Sequence, residues 1–195
     1  MKIFSLGRTT PVGRFHKSLS LALLLLAVLV GGCSRADANT ELDVQLRPDG
    51  SVVSSWRNTS FPVENFKRIS SGFGWRNRPG TGRRQFHNGI DLAAPHGAYV
   101  RAWATGRVKE VSYDRGCGWQ VDIVSGAWEH TYCHLSGIGV RAGQIVRAGQ
   151  VIAAVGETGH ATGPHLHWTL RYNKQLIDPS AVIYAMQESW KLANR

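Results

Sequence analysis

The chain has 195 residues and a mass of 21.4 kDa, with 43% hydrophobic and 18% charged residues. That allows one domain with a tail and excludes both a multidomain assembly and a disordered protein. Lys and Arg number 23 against 13 Asp and Glu, a net charge of +10, so composition points to an anionic partner: nucleic acid, a membrane surface or an acidic polymer. Three cysteines are too few for a disulfide scaffold, and the eight histidines are the unusual count.

Residues 1–20 carry Lys2, Arg8, Arg14 and Lys17 and no acid, and they lead into an uncharged apolar run from Leu21 to Val30. That run is about half the length a bilayer-spanning helix needs, so residues 1–33 read as a signal peptide. Two processing routes are open. Val30-Gly31-Gly32-Cys33 resembles the bacterial lipobox, in which small residues precede a cysteine that is lipidated and becomes the new N-terminus. Cleavage after Ala36-Asp37-Ala38 would instead release a soluble product. Four of the 23 basic residues and none of the 13 acidic ones precede Cys33, so a chain processed there carries 19 against 13, or +6. An exported chain meets lipid headgroups and the cell wall. No basic run interleaved with aromatics is present, so nucleic acid is not expected as a partner.

Residues 34–62 are polar, with one short strand-like piece at Ser51–Ser54, and read as a tether followed by the edge of a domain. From 63 to 180 the texture is all-β and mainly antiparallel, as in a compact sandwich or barrel-like domain. Short apolar stretches at Tyr99–Ala102, Arg107–Val111, Gln120–Val124, Gln150–Val155 and His165–Leu170 alternate with glycines. The segment Val140 to Ile145 (VRAGQI) recurs as Val146 to Val151 (VRAGQV), which predicts tight β-hairpins. Within the tail, 181–195 with Ser180 just before it, the stretch Ser180–Leu192 carries a helical period and predicts a short C-terminal helix.

The chemistry begins with His87 and Asp91, four residues apart. His165 and His167 flank Leu166; on a strand they share a face, about 7 Å apart, while Leu166 points into the core. His134 closes the strand-like segment Tyr132 to Leu135. Each motif is common alone, and together they suit zinc, which takes His nitrogen and carboxylate oxygen and in catalytic sites keeps one position open. The spacing does not say which of His165 and His167 would bind metal. His96, His130 and His160 lie outside these motifs and read as surface or loop residues.

Together these residues closely resemble the lysostaphin-type (LytM-like) zinc peptidases, which cut the peptide part of peptidoglycan. The resemblance runs from Ser70 to Pro179. It covers Ser71 to Arg76, His87 to Asp91 as H-x-x-x-D, Tyr132 to Leu135, the turn Gly156 to Gly159, Gly163 to His167 as G-x-H-L-H, and Asp178-Pro179. It implies His87, Asp91 and His167 as ligands of one zinc ion per chain. It also implies His134 and His165 as the pair that orients water and stabilises an oxyanion. The expected substrate is a stem or cross-bridge peptide of peptidoglycan, and the expected place is the bacterial envelope, with the chain lipid-anchored through Cys33 or free, and monomeric. Many relatives carry an acid two residues after the final histidine; here it is Thr169. Two other classes are weighed: a non-catalytic wall-binding or regulatory lipoprotein of the same fold, and a carrier or adaptor module, which would need a modifiable lysine at a hairpin tip or a long helical hairpin, neither of which the sequence shows.

Cys117 and Cys133 are the two cysteines left inside the domain, and an exported protein meets an oxidising compartment. A hairpin turning at Ser125-Gly126 places them opposite each other within disulfide reach, while a slip of one residue would part them and leave two buried thiols.

Overall fold

The computed structural model describes residues 44–46, 52–54, 58–77 and 82–193. The signal peptide read over 1–33, Cys33, the alternative site at Ala38 and most of the tether lie outside the described residues. Strand β1 (Val44–Leu46) pairs with β2 (Val52–Ser54). The remaining strands are β3 (Arg68–Ser71), β4 (Gly74–Asn77), β5 (Arg84–His87), β6 (Ile90–Ala93), β7 (Tyr99–Arg101), β8 (Gly106–Asp114) and β9 (Gly118–Ser125). They continue as β10 (Trp128–Ile138), β11 (Ile145–Val146), β12 (Val151–Val155), β13 (His165–Tyr172) and β14 (Gln175–Ile177), and helix α1 (Pro179–Ala193) closes the chain.

The main sheet runs β11-β8-β9-β10-β13-β6-β3, with β12 bridging β10 and β7, β14 on β13, and β4-β5 as a separate ribbon. All these pairings are antiparallel, as the sequence texture predicted. The central strands sort their residues by parity. Trp128, His130 and Tyr132 of β10, Val121 and Ile123 of β9, and Leu166, Trp168 and Leu170 of β13 are buried in the core. The intervening residues Glu129, Thr131, Asp122, His167 and Thr169 face a groove on the other side. Trp103 joins the core, with Trp128 and Trp168 edge-on to it at 5.2 and 5.9 Å.

Three expectations need correction. His130 is not a surface residue but fully buried. A core-facing position of a central strand takes it because its ring is satisfied on both sides, by Ser125 Oγ at 2.9 Å and Tyr132 Oη at 2.8 Å. Tyr132 Oη in turn accepts the Trp103 backbone N–H.

The VRAGQ repeats are turns but not hairpins. In each, the glutamine N–H returns to the arginine carbonyl (3.1 and 3.0 Å) with glycine at positive φ, Gly143 at 82° and Gly149 at 79°. These turns join β10 to β11 and β11 to β12, yet β11 pairs with β8, and β12 with β10 and β7. Local chemistry fixes the bend, while burial of Val146 and Ile152 chooses the strand partners.

The third correction concerns the β9-β10 hairpin, which turns one position later than expected, with Ser125 opposite Trp128 across Gly126-Ala127. In that register Cys133 would not meet Cys117. The two are nevertheless joined in a disulfide with Cα atoms 5.0 Å apart, Cys133 lying in a bulge between Tyr132 and Leu135 where regular pairing with β9 is interrupted. Cys117 sits in the β8-β9 turn, where Asp114 Oδ1 accepts its N–H at 2.7 Å. Helix α1 starts one residue before the predicted span, at Pro179; Asp178 caps it by accepting the Ser180 N–H at 2.8 Å.

Candidate metal centre and groove

Asp91 and His167 are direct cross-strand partners in the β6-β13 ladder, so backbone pairing alone brings them together. His87 ends β5, and the link Asn88-Gly89 turns the chain into β6. The three side chains converge. His167 Nδ1 lies 2.9 Å from Asp91 Oδ1, and His87 Nε2 lies 3.2 Å from that oxygen and 3.0 Å from His167 Nδ1. His165 Nε2 lies 3.7 Å from the same oxygen, and its ring is 4.6 Å from that of His134, centroid to centroid.

Each histidine turns its other nitrogen toward an oxygen. His87 Nδ1–H donates to the Gly72 carbonyl (2.7 Å), His134 Nδ1–H to Thr158 (2.8 Å) and His165 Nδ1–H to Gly163 (2.7 Å). A carbonyl can only accept, so each of these rings carries its proton on the outside and offers a bare Nε2 to the site. His167 uses the reverse tautomer: Nε2 faces Asn88 Oδ1 and Thr169 Oγ1, both at 3.1 Å, and Nδ1 faces inward.

The result is two nitrogen lone pairs and a carboxylate oxygen packed together with no proton among them. Such a donor set repels itself unless a cation sits between its members, and its spacings match the roughly 3.3 Å expected between ligands about 2.0 Å from a tetrahedral zinc. His87, Asp91 and His167 are thus the group that could hold a metal ion among the described residues. A proton taken up at either inner nitrogen is shared with Asp91 Oδ1: burial pushes that carboxyl up, but such hydrogen bonds from His167 and His87 outweigh it and hold it well below the usual range. Burial pulls the His134 imidazole down to about 4, leaving a neutral base at neutral pH.

His134 occupies the β10 bulge at φ 62°, a conformation rare for a side-chain-bearing residue. The bulge shifts the core parity from Tyr132 to Leu135 and turns His134 toward the groove. Two contacts hold it there: its own N–H to the Cys117 carbonyl at 2.7 Å, and the ring bond to Thr158. Gly118 and Gly159 let these turns meet. A Cβ on either would lie 2.3 Å from the other turn's backbone, and both have positive φ.

The cluster lies in an open groove of about 870 Å³. Arg76, Asn77, Gln85 and Phe86 of the β4-β5 ribbon line one part of it, and Asp114, Gly116, Cys117 and the exposed His160 another. The structure therefore brings His87, Asp91, His134, His165 and His167 into one site, with Cys117 and Cys133 beside it. His96 is exposed and stays outside. Sequence reasoning gave no role to Arg76, named only as the end of the Ser71–Arg76 motif and found 3.7 Å from Asp91 Oδ2, or to Asn88 and Thr158. Asn88 was visible only as the residue following His87, and Thr158 only as part of the Gly156–Gly159 turn.

A family model described as peptidase family M23 matches residues 85–179, the span that holds every member of the cluster. A catalytic-domain mutant of the prophage-encoded M23 protein EnpA from Enterococcus faecalis is 36% identical, with 63% of this chain and 95% of that one covered and a TM-score of 0.53. The chain belongs to peptidase family M23. A further solved neighbour, a zinc-containing peptidase from Vibrio cholerae, is 35% identical with a TM-score of 0.59, over 69% of this chain and 44% of that one. Among curated relatives, the DD-carboxypeptidase/endopeptidase Mpg of Neisseria meningitidis is 40% identical over 69% of this chain. The peptidoglycan DD-endopeptidase ShyB of Vibrio cholerae is 39% identical over 60%. The chain spans about a third of the length of these two relatives, 31% and 28%.

Proposed function

We propose that the chain is an exported zinc metalloendopeptidase that hydrolyses peptide bonds in peptidoglycan. The observation that carries this reading is the convergence of His87 Nε2, Asp91 Oδ1 and His167 Nδ1 beside two further histidines whose Nδ1 atoms are held by backbone carbonyls. In this reading those three residues bind one zinc ion, which when bound supplies Lewis acidity to a scissile carbonyl and to the attacking water. His134 accepts the water proton at Nε2, for which its depressed basicity keeps it free at neutral pH. His165 Nε2, on taking that proton over from His134, donates it to the oxyanion and then delivers it to the leaving amine. The Gly163 and Thr158 carbonyls hold both rings in the orientation these transfers need.

Membership of M23 and the names of the relatives support the wall peptide as substrate. The signal-like residues 1–33 support export, followed by a tether over 34–62, the peptidase domain over 63–180 and the tail over 181–195. Cys33 is the proposed lipidation site, placing a monomeric enzyme on the envelope membrane. Zinc content and turnover on purified peptidoglycan test the reading together. One zinc per chain with release of peptide ends is expected, and a zinc-loaded protein that releases none would mark a wall-binding lipoprotein.

A further inference from the structure

Beyond the zinc cluster the groove continues along β13, whose same-face residues His165, His167, Thr169 and Arg171 all line it. The charged groups at that far end are unevenly satisfied. Asp122 receives the Thr131 hydroxyl, and Glu129 is paired with Lys109 Nζ at 3.0 Å. Near the cluster, Arg76 is held by Asp91. The half-buried Arg171 stands opposite Glu129 in the β10-β13 ladder, yet among the described residues its guanidinium has no hydrogen bond or ion pair. Among the described residues it is the groove-lining guanidinium without a carboxylate partner.

From this we infer that Arg171 is a specificity-determining residue that binds a free carboxylate of the substrate peptide. The inference rests on the peptidase reading and adds the substrate's charge to it. Four strand steps separate His167 from Arg171, about 13 Å along β13. An extended peptide lying on that strand covers the distance in about four residues. A guanidinium fork is suited to a carboxylate, and the neighbouring acids, each already engaged, leave it available for one. A neutral or amidated peptide would leave Arg171 unpaired and gain nothing from it.

The test compares cross-linked muropeptides carrying free carboxylates with the same muropeptides amidated, using the full zinc-loaded chain. With Arg171→Gln, kcat/KM on the free form should fall roughly ten- to hundredfold, chiefly through KM, with the amidated form nearly unchanged. Arg171→Lys should recover part of the loss. Equal loss on both forms, or none on either, would overturn the inference while leaving the peptidase reading intact. If wild-type protein cuts neither form, that reading fails instead. Binding of both forms to His134→Ala, with and without Arg171→Gln, then decides the role of Arg171: selective weakening of the free form supports it, and equal affinities refute it.

Discussion

His167 gives its outer nitrogen to two neutral oxygens, Asn88 Oδ1 and Thr169 Oγ1, where many relatives are expected to use an acid. Two hydrogen bonds at 3.1 Å can fix the tautomer, but neither adds the negative charge that would make the ring a stronger donor. Removing one should loosen the ring. Thr169→Val is expected to weaken zinc binding roughly tenfold, read by competition with a chelating dye, and Thr169→Glu to strengthen it. Ligands and acid–base residues should separate in elemental analysis: His87→Ala and Asp91→Ala lose stoichiometric zinc, whereas His134→Ala keeps zinc and loses turnover. Zinc loss from His134→Ala would make that residue a ligand. His130 contributes to stability instead. Burial lowers its pKa from 6.5 to about 3, so between those values the unfolded chain binds a proton that the folded one refuses. Stability is therefore full above pH 6.5 and falls as pH drops through that window, by about 1.4 kcal/mol per pH unit for this group. His130→Gln should flatten that slope in urea titrations at pH 4–6; an unchanged slope would assign it to other groups.

Strand β10 shows how far an element can be read from its residues. The pair His165/His167 was legible because a regular strand places alternate residues on one face, and Leu166 is indeed buried between them. His87 and Asp91 were legible as a motif, although their meeting with His167 depends on the β6-β13 ladder. Alternation fails in Tyr132 to Leu135, because the chain spends two residues, Cys133 and His134, between successive core positions. No period in the sequence announces such a bulge, since long-range pairing with β9 and β13 decides it. For the same reason the expected register located the cysteines by the wrong route. The disulfide ties the bulge to the β8-β9 turn whose Cys117 carbonyl also accepts the His134 N–H. We expect two unreactive domain thiols on titration of the unfolded, unreduced protein. The Cys117→Ala/Cys133→Ala variant should lose about 3 kcal/mol of stability, with turnover lowered more than zinc content. Two reactive thiols from these positions would remove the bridge from the account.

At the scale of the whole molecule, one sheet divides labour between its faces. One side is a tryptophan-rich core, and the other is a polar groove whose rows run from the histidine–aspartate cluster to Arg171. The all-β class was legible from glycine-punctuated apolar stretches, because each is too short for a helix and is flanked by turn residues. The strand order was not legible, since the VRAGQ turns bend the chain without naming the partner of the strand that follows. Cys33→Ser should leave the protein in the soluble fraction or block its processing, read from the mass of the N-terminal peptide. A mature N-terminus at Asn39 would replace the lipid anchor with ordinary cleavage. The central claim is that this groove hydrolyses wall peptides by means of a metal held at His87, Asp91 and His167. Mass spectrometry of muropeptides after incubation of purified peptidoglycan with the mature protein, with and without a chelator, tests it most directly. The account predicts products gaining the mass of one water across a peptide bond, abolished by the chelator and restored by zinc; an unchanged muropeptide profile, or cleavage indifferent to the chelator, would contradict it.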